Sequence, residues 1–249
     1  MEELTTENIV GKIVNNSKGT PMKIISARST RDIDVQFLDD YGYIKYNSTY
    51  SNFKTGQIKN PYDKNICGIG YLGEGKYKSR GSNGLHTMEY QNWTAMIRRC
   101  YDLNKKELYS AYFGKCEVCE EWHNFQNFAK WYEDNFYQVG TERMHIDKDI
   151  LFKDNRLYSP ETCILVPQRI NMLFMKKPNK AGLPTGIKRA GRGKFYAWYN
   201  EEFLGKYDTL EEAVAVHDNK RKEAIRTVAD KYKEVIPERL YVALMIWTI

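Results

Sequence analysis

The sequence predicts an α+β protein built from three modules: an N-terminal small β-barrel, a helix-rich centre and a C-terminal three-stranded sheet with a helix. Short apolar runs separated by turn residues fill the first 60 positions, helical periodicity follows, and strand patterns return after Gly182 before another helical pattern. The 249 residues suffice for one large domain or for two to three small ones. We place them at residues 1–60, 61–177 and 178–249.

Composition and charge narrow the class of protein. The chain is 42% hydrophobic and 14% aromatic, which excludes a disordered chain. A net charge of +6 permits nucleic-acid binding without requiring it. No apolar run approaches the roughly 20 residues of a membrane helix, and residues 1–4 lack the features of a signal peptide. We therefore expect a cytoplasmic protein without membrane contact.

The N-terminal module reads as short strands at residues 9–14, 22–25, 33–38 and 43–46. Strict alternation of Ile33, Val35 and Phe37 places three apolar side chains on one face, which is typical of a half-buried strand. We expect these strands to form a small β-barrel.

The central module begins with a glycine-rich linker at residues 61–85, in which the glycines are interleaved with Tyr71, Lys76, Tyr77, Lys78 and Arg80. Such a composition is typical of both nucleic-acid contacts and ordinary surface loops, so both readings stay open. Apolar residues then recur with helical spacing at residues 93–101 and 125–136, and we expect two helices whose aromatic stripes pack in the core.

Residues with metal chemistry are concentrated at positions 144–171, where the pattern predicts strand, turn, strand and helix. His145 and Asp147 alternate onto one face of the first strand, Lys148 follows, and Asn171 lies on the helix. An Asp on a strand and a polar side chain on the next helix can converge on one divalent cation. Oxygen ligands suit Mg²⁺, which would stabilise the leaving oxygen when a phosphodiester is cut.

This stretch resembles the HNH, or ββα-metal, nuclease superfamily. The resemblance rests on Asp147, Lys148 and Asp149, on residues 157–162, and on the closing Asn171. It implies that Asp147 and Asn171 bind Mg²⁺ or another divalent cation. Lys148 stands where the family has its general base His or an Arg substitute.

The general base has two candidates, Lys148 and His145. A lysine with an ordinary pKa near 10.4 is a weak base at pH 7. A second alignment matches residues 145–147 with the His-Ile-Asp of phage-type HNH proteins and makes His145 the base. The alternative is that residues 147–149 form a solvated charged turn on an inactive ββα unit, so enzymatic activity stays open.

Cys116 and Cys119 have the CxxC spacing of a zinc knuckle, and many HNH proteins carry a zinc site. A structural zinc needs four ligands, whereas the family's second pair falls near Pro167 and Ile170. Zn²⁺ at Cys116 and Cys119 is therefore one hypothesis, and free thiols are the other.

The C-terminal module offers strands at residues 186–188, 195–199 and 203–207. A helix is predicted from Thr209, because Thr209 and Glu212 form a capping-box pattern. Three strands and a packed helix make a small α+β unit.

The same segment resembles an Apetala/ERF-type DNA-binding domain over about 45 residues, through residues 186–188, 193–197, 203–209, 211–213 and 217–218. In that family a three-stranded sheet lies in the major groove. The resemblance and the excess of basic residues give these candidate DNA-binding residues: Lys188, Arg189, Arg192, Lys194, Trp198, Phe203 and Lys206.

Taken together, the two resemblances suggest a mobile endonuclease of phage type, acting on double-stranded DNA in the host cytoplasm with a divalent metal. The first alternative is a catalytically inactive DNA-binding regulator or host-takeover factor. The second is a protein-interaction inhibitor of a host defence system, whose partner would be a host or phage protein.

Overall fold

The computed structural model describes residues 6–175 and 182–248, which form two compact units. The first unit ends at Trp131 and the second begins at Tyr132. Both contain helices and strands, so the predicted α+β class is confirmed. The predicted boundary between residues 177 and 178 lies outside the described residues.

The N-terminal part of the first unit is an antiparallel four-stranded sheet in chain order with two short helices. Its elements are α1 (Thr6–Ile9), β1 (Ile13–Asn15), β2 (Pro21–Ser29), β3 (Asp32–Phe37), β4 (Ile44–Ser48) and α2 (Tyr50–Lys54).

The predicted small β-barrel is wrong, because among the described strands β1 and β4 are the two edges of an open sheet. Ile33, Val35 and Phe37 are fully buried, as their alternation predicts. Their apolar face is covered by Ile9 of α1 and Phe53 of α2. Since these helices complete the core, the sheet need not close on itself.

The rest of the first unit is organised around two tryptophans. Trp93 lies on α3 (Met88–Tyr101), and Trp122 lies between β5 (Glu117–Val118) and α4 (Phe125–Asn135). Both side chains are fully buried, and Nε1 of Trp93 donates a hydrogen bond to the backbone oxygen of Trp122 at 2.7 Å. The predicted helical stripes are confirmed as core except at Phe136, which follows the end of α4 and is 45% exposed.

The second unit contains a strand–loop–strand–helix segment, a three-stranded sheet and two further helices. The segment consists of β6 (Met144–Asp147), a loop that contains the short strand β7 (Leu157–Tyr158), then β8 (Ile164–Pro167) and α5 (Gln168–Leu173). The sheet has the antiparallel order β11-β10-β9, with strands Glu202–Tyr207, Phe195–Tyr199 and Ile187–Arg189. The last helices are α6 (Leu210–Tyr232) and α7 (Glu238–Met245).

Helix α6 packs against both parts of this unit. Its Thr209–Glu212 capping box is present as predicted, and its 23 residues span about 35 Å. Near its start, Ala213 packs with the core of the C-terminal sheet. Further along, Ile225 and Ala229 join the buried cluster that includes β8 and α5. One helix thus supports both predicted functional segments.

No helix in the described ranges combines the length and the apolar character that a bilayer crossing requires.

Candidate functional site

Strand β6 pairs antiparallel with β8, and α5 begins directly after β8. His145 lies opposite Val166, and Asp147 lies opposite Ile164. Residues directly opposite in an antiparallel pair share one face of the sheet. Val166 and Ile164 belong to the same buried cluster as Ile170 of α5. His145 and Asp147 therefore lie on the face that α5 covers.

The carboxylate of Asp147 caps the turn after β6. Its Oδ1 accepts hydrogen bonds from the backbone N–H groups of Asp149 and Ile150, both at 2.7 Å. Burial raises the pKa of Asp147 above its usual range, although these two hydrogen bonds act in the opposite direction. Its Oδ2 accepts no hydrogen bond from the described residues, which leaves one oxygen for a ligand.

Lys148 is buried and closes the loop between β6 and β7. Its Nζ donates to Oδ1 of Asp149 and to the backbone oxygen of Asn155, both at 2.7 Å. The side chain of Asn155 donates back to the carbonyl of Lys148 at 2.8 Å. An ammonium that donates these bonds has no lone pair with which to take a proton from water. The contacts of Lys148 are those of a loop-positioning residue.

Asn171 is half-buried on α5, and its side chain makes no hydrogen bond within the described residues. Asp147 and Asn171 would offer a cation one carboxylate and one amide oxygen. This hard donor set fits Mg²⁺, which keeps several of its waters. In the described chain, no group of three or more His, Cys, Asp or Glu side chains is arranged to hold a metal. A bound cation would therefore depend largely on water and on substrate oxygens.

Cys116 is buried and Cys119 is half-buried, on either side of β5. The ring nitrogen Nε2 of His123, the nearest histidine in sequence, lies 3.0 Å from the backbone oxygen of Val118. These thiols provide two of the four ligands that a structural zinc needs. The zinc site stays a prediction.

The C-terminal sheet presents its outer face on the side opposite α6. Lys188, Tyr196 and Lys206 lie directly opposite one another across the three strands. The ammonium of Lys206 lies 5.8 Å from the ring centroid of Tyr196. That of Lys188 lies 5.4 Å from the ring of Trp198, within range of a cation–π contact. We call Lys188, Tyr196, Trp198, Phe203 and Lys206 the outer face.

A β-bulge brings Phe203 onto this outer face. Ala197 lies opposite Gly205, but Trp198 lies opposite Phe203, so β11 contains one extra residue between these pairs. The extra residue, Leu204, packs into the core beneath the sheet. Gly205 adopts φ +138°, which favours glycine. Phe203 therefore contacts Trp198, with ring centroids 4.9 Å apart.

The only acidic residue of the sheet's described strands is neutralised by an ion pair. Glu202, at the start of β11, contacts Lys220 of α6 at 2.9 Å. This pairing reduces the repulsion that an anionic ligand would meet. The indole Nε1 of Trp198 is buried and has no hydrogen-bond partner in the described parts of the chain, and a surface ligand could reach it only if the side chain moved.

The remaining predicted DNA-binding residues are Arg189, Arg192 and Lys194. Arg189 lies opposite Phe195, a residue of the helix-covered face, and its guanidinium is 6.0 Å from that ring. Arg192 is exposed between β9 and β10 with φ +63°. Lys194 forms an ion pair with Asp208 at 2.5 Å, and this contact holds the pKa of Asp208 below its usual range. Arg189 is therefore on the side that α6 covers, whereas Lys194 continues the alternation of Tyr196 and Trp198 at the N-terminal end of β10, with its charge paired to Asp208.

Tyr196 is the outer-face residue that was missing from the predicted set. Its neighbour Ala197 is fully buried against α6, so alternation along β10 directs Tyr196 and Trp198 to the same side. The alternation of residues along β10 could have predicted this position of Tyr196 from the sequence. The family motif instead singled out Lys194 and Phe195.

Comparisons with protein-family models, with curated proteins and with solved structures find no match to this chain.

Proposed function

We propose that this protein binds double-stranded DNA through the outer face of its C-terminal sheet. The observation that supports this most directly is the row of Lys188, Tyr196 and Lys206 across all three strands. Strands are about 4.8 Å apart, so three strands span roughly 10 Å between their outer axes. The major groove of B-DNA is about 12 Å wide, which is comparable with this span.

The charged and the aromatic side chains of the outer face are suited to different parts of the DNA. Lys188 and Lys206 are exposed at the two edge strands, where each can contact one of the phosphate backbones that flank a groove. Trp198 lies on the central strand β10, Phe203 lies beside it on β11, and both can make apolar contacts with base edges. The binding is therefore expected to be sensitive to salt, because each phosphate contact releases counterions.

The test is a fluorescence anisotropy titration of a labelled duplex at several salt concentrations. Replacing Lys188 and Lys206 together by Ala should reduce the slope of log K against log salt by about 2. A matched control replaces Arg226 and Lys231 by Ala, since both are exposed on α6 and the change in net charge is equal. An equal loss in both double variants would contradict a specific role for the sheet.

A second candidate function is metal-dependent cleavage of the bound DNA at the strand–loop–strand–helix segment. It is supported by His145 and Asp147, which share the sheet face covered by the helix of Asn171. In this proposal Asp147 and Asn171 hold a divalent cation, which would stabilise charge on the leaving oxygen. His145 takes the proton from the attacking water, and Lys148 positions the loop.

Cleavage is tested with supercoiled plasmid in Mg²⁺, in Mn²⁺ and in chelator, for the parent and for Asp147→Ala, His145→Ala and Asn171→Ala. We expect nicking that requires metal and is lost in all three variants. Lys153→Ala, an exposed change in the same loop, should leave it intact. Salt-sensitive binding without nicking would favour the inactive DNA-binding regulator. Neither binding nor nicking would favour the inhibitor that acts on a protein partner.

A further inference from the structure

A second basic surface lies in the first unit, in the segment that leads into α3. Residues 76–87, here called the basic loop, contain Lys76, Lys78 and Arg80 and no acidic residue. Lys78 and Arg80 are exposed, and no ion pair joins either of them to a carboxylate in the described ranges. Arg80 uses Nη1 to bind the backbone oxygen of Gly84 at 2.6 Å. Its other guanidinium donors are available for a ligand.

The start of the loop is held by one side chain of α4. Gln126 of α4 accepts a hydrogen bond from the N–H of Tyr77 at 3.0 Å and donates to the carbonyls of Leu72 and Tyr77. A Cβ atom at Gly75 would lie only 2.2 Å from Oε1 of Gln126, so a larger residue there would displace the amide that holds the loop. The loop is therefore anchored where it leaves the core.

The other end of the loop is fixed at the start of α3. Thr87 caps this helix, accepting a hydrogen bond from the N–H of Tyr90, and its hydroxyl donates to the carbonyl of Lys78 at 3.2 Å. Gln91 donates to the carbonyl of His86 at 2.8 Å. A cationic loop held at both ends loses little conformational entropy when it binds a ligand.

We propose that the basic loop is a second contact for the DNA backbone, with Lys78 and Arg80 each binding a phosphate. This inference rests on the proposed DNA binding by the outer face and extends it to the first unit. Lys78 acts as a point charge, and Arg80 offers the planar donor geometry that suits phosphate oxygens. The basic loop does not distinguish one DNA sequence from another, because its contacts are to the phosphate backbone of the DNA.

The experiment uses the full chain and the same duplex titration. Replacing Lys78 and Arg80 by Ala should lower affinity about 10- to 60-fold near 0.1 M salt and reduce the salt slope by about 2. Lys105→Ala with Lys106→Ala, two exposed residues of the same unit, is the control of equal charge and should leave affinity within about twofold of the parent. Lys78→Arg with Arg80→Lys keeps both charges and should restore the slope.

The outcomes separate the two proposals. If the outer-face variant loses affinity but the loop variant binds like its control, the loop proposal is overturned and the DNA-binding proposal stands. If the parent binds no duplex at any salt concentration, both are overturned. A thermal unfolding scan of the loop variant should match the parent, because Lys78 and Arg80 are exposed.

Discussion

Arg221 on α6 donates two hydrogen bonds to the backbone oxygen of Leu173, from Nε at 3.1 Å and from Nη2 at 2.8 Å. Leu173 is the last residue of α5, where helix carbonyls lack partners within the helix. The contact fixes the helix that carries Asn171 to the helix that supports the C-terminal sheet. Both candidate sites of the second unit therefore depend on it for their placement.

Arg221→Ala should lower the free energy of unfolding by about 1–3 kcal/mol, because a partly buried carbonyl loses a charged donor. Urea unfolding measures this change. Arg226→Ala is the matched control, since Arg226 is exposed on the same helix. Equal losses in the two variants would show that the contact with Leu173 contributes nothing beyond helix propensity.

Lys148→Met should also be destabilising, by about 1–3 kcal/mol, because the carbonyl of Asn155 loses a charged hydrogen-bond donor in a buried setting. Lys153→Met changes an exposed lysine of the same loop and should cost less than about 0.5 kcal/mol. If Lys148→Met unfolds like the parent but alters DNA cleavage, the positioning role would be wrong and a catalytic one would gain support.

Local patterns predicted much of this fold. Alternation of Ile33, Val35 and Phe37 predicted a half-buried strand, and Thr209 with Glu212 predicted the start of α6. Closure of the N-terminal sheet was predicted wrongly, because the pairing of edge strands depends on what else covers the apolar face. The predicted strand at residues 9–14 is instead the end of α1 and the start of β1, with Gly11 at φ +85° between them.

The candidate sites were predictable only in part, for a similar reason. Sequence spacing places His145 and Asp147 on one strand face, but the partner of Lys148 is a carbonyl seven residues later, across a loop with Asp154 at φ +61°. Such a contact depends on the three-dimensional path of the loop. The bulge at Leu204 likewise determines on which side of β11 Phe203 lies. No motif in the sequence predicted this bulge.

We expect the ion pair between Arg28 and Asp34 to make a pH-dependent contribution to the stability of the N-terminal sheet. It donates to both oxygens of Asp34 at 2.8 Å and lowers the pKa of that carboxyl from 3.8 to about 2. A lowered pKa means that the stabilisation is present above pH 3.8 and is lost as the pH falls through about 2. The stability gap between the parent and Arg28→Met should therefore shrink below pH 3.8.

Urea titrations at pH 6, 5, 4 and 3 test this gap, with Arg31→Met as the control because Arg31 is exposed. The control should give a difference from the parent that stays constant with pH. A gap for Arg28→Met that is equally constant would show that the ion pair does not set the titration of Asp34.

For Asp147 we expect the opposite dependence of stability on pH. Burial raises the pKa of Asp147 in the folded protein, so protonation of this carboxyl stabilises the folded state. The stabilisation is fully present below pH 3.8, the usual pKa of the group. It is lost as the pH rises through the raised pKa of the folded state. Asp147→Asn keeps an oxygen to accept from the N–H groups of Asp149 and Ile150 but carries no charge. The variant should therefore gain stability relative to the parent between pH 4 and pH 7, measured by urea unfolding.

Asp154→Asn is the control for this last prediction, because Asp154 is exposed and Asn tolerates its left-handed backbone. Its difference from the parent should not change over the same interval. Added Mg²⁺ or Mn²⁺ should raise the Tm of the parent and leave that of Asp147→Asn unchanged, because only a ligand that binds the folded state at this carboxylate offsets its buried charge. In that case the carboxylate of Asp147 lowers the stability of the protein at neutral pH, and a bound metal restores it. Such a residue serves binding rather than folding.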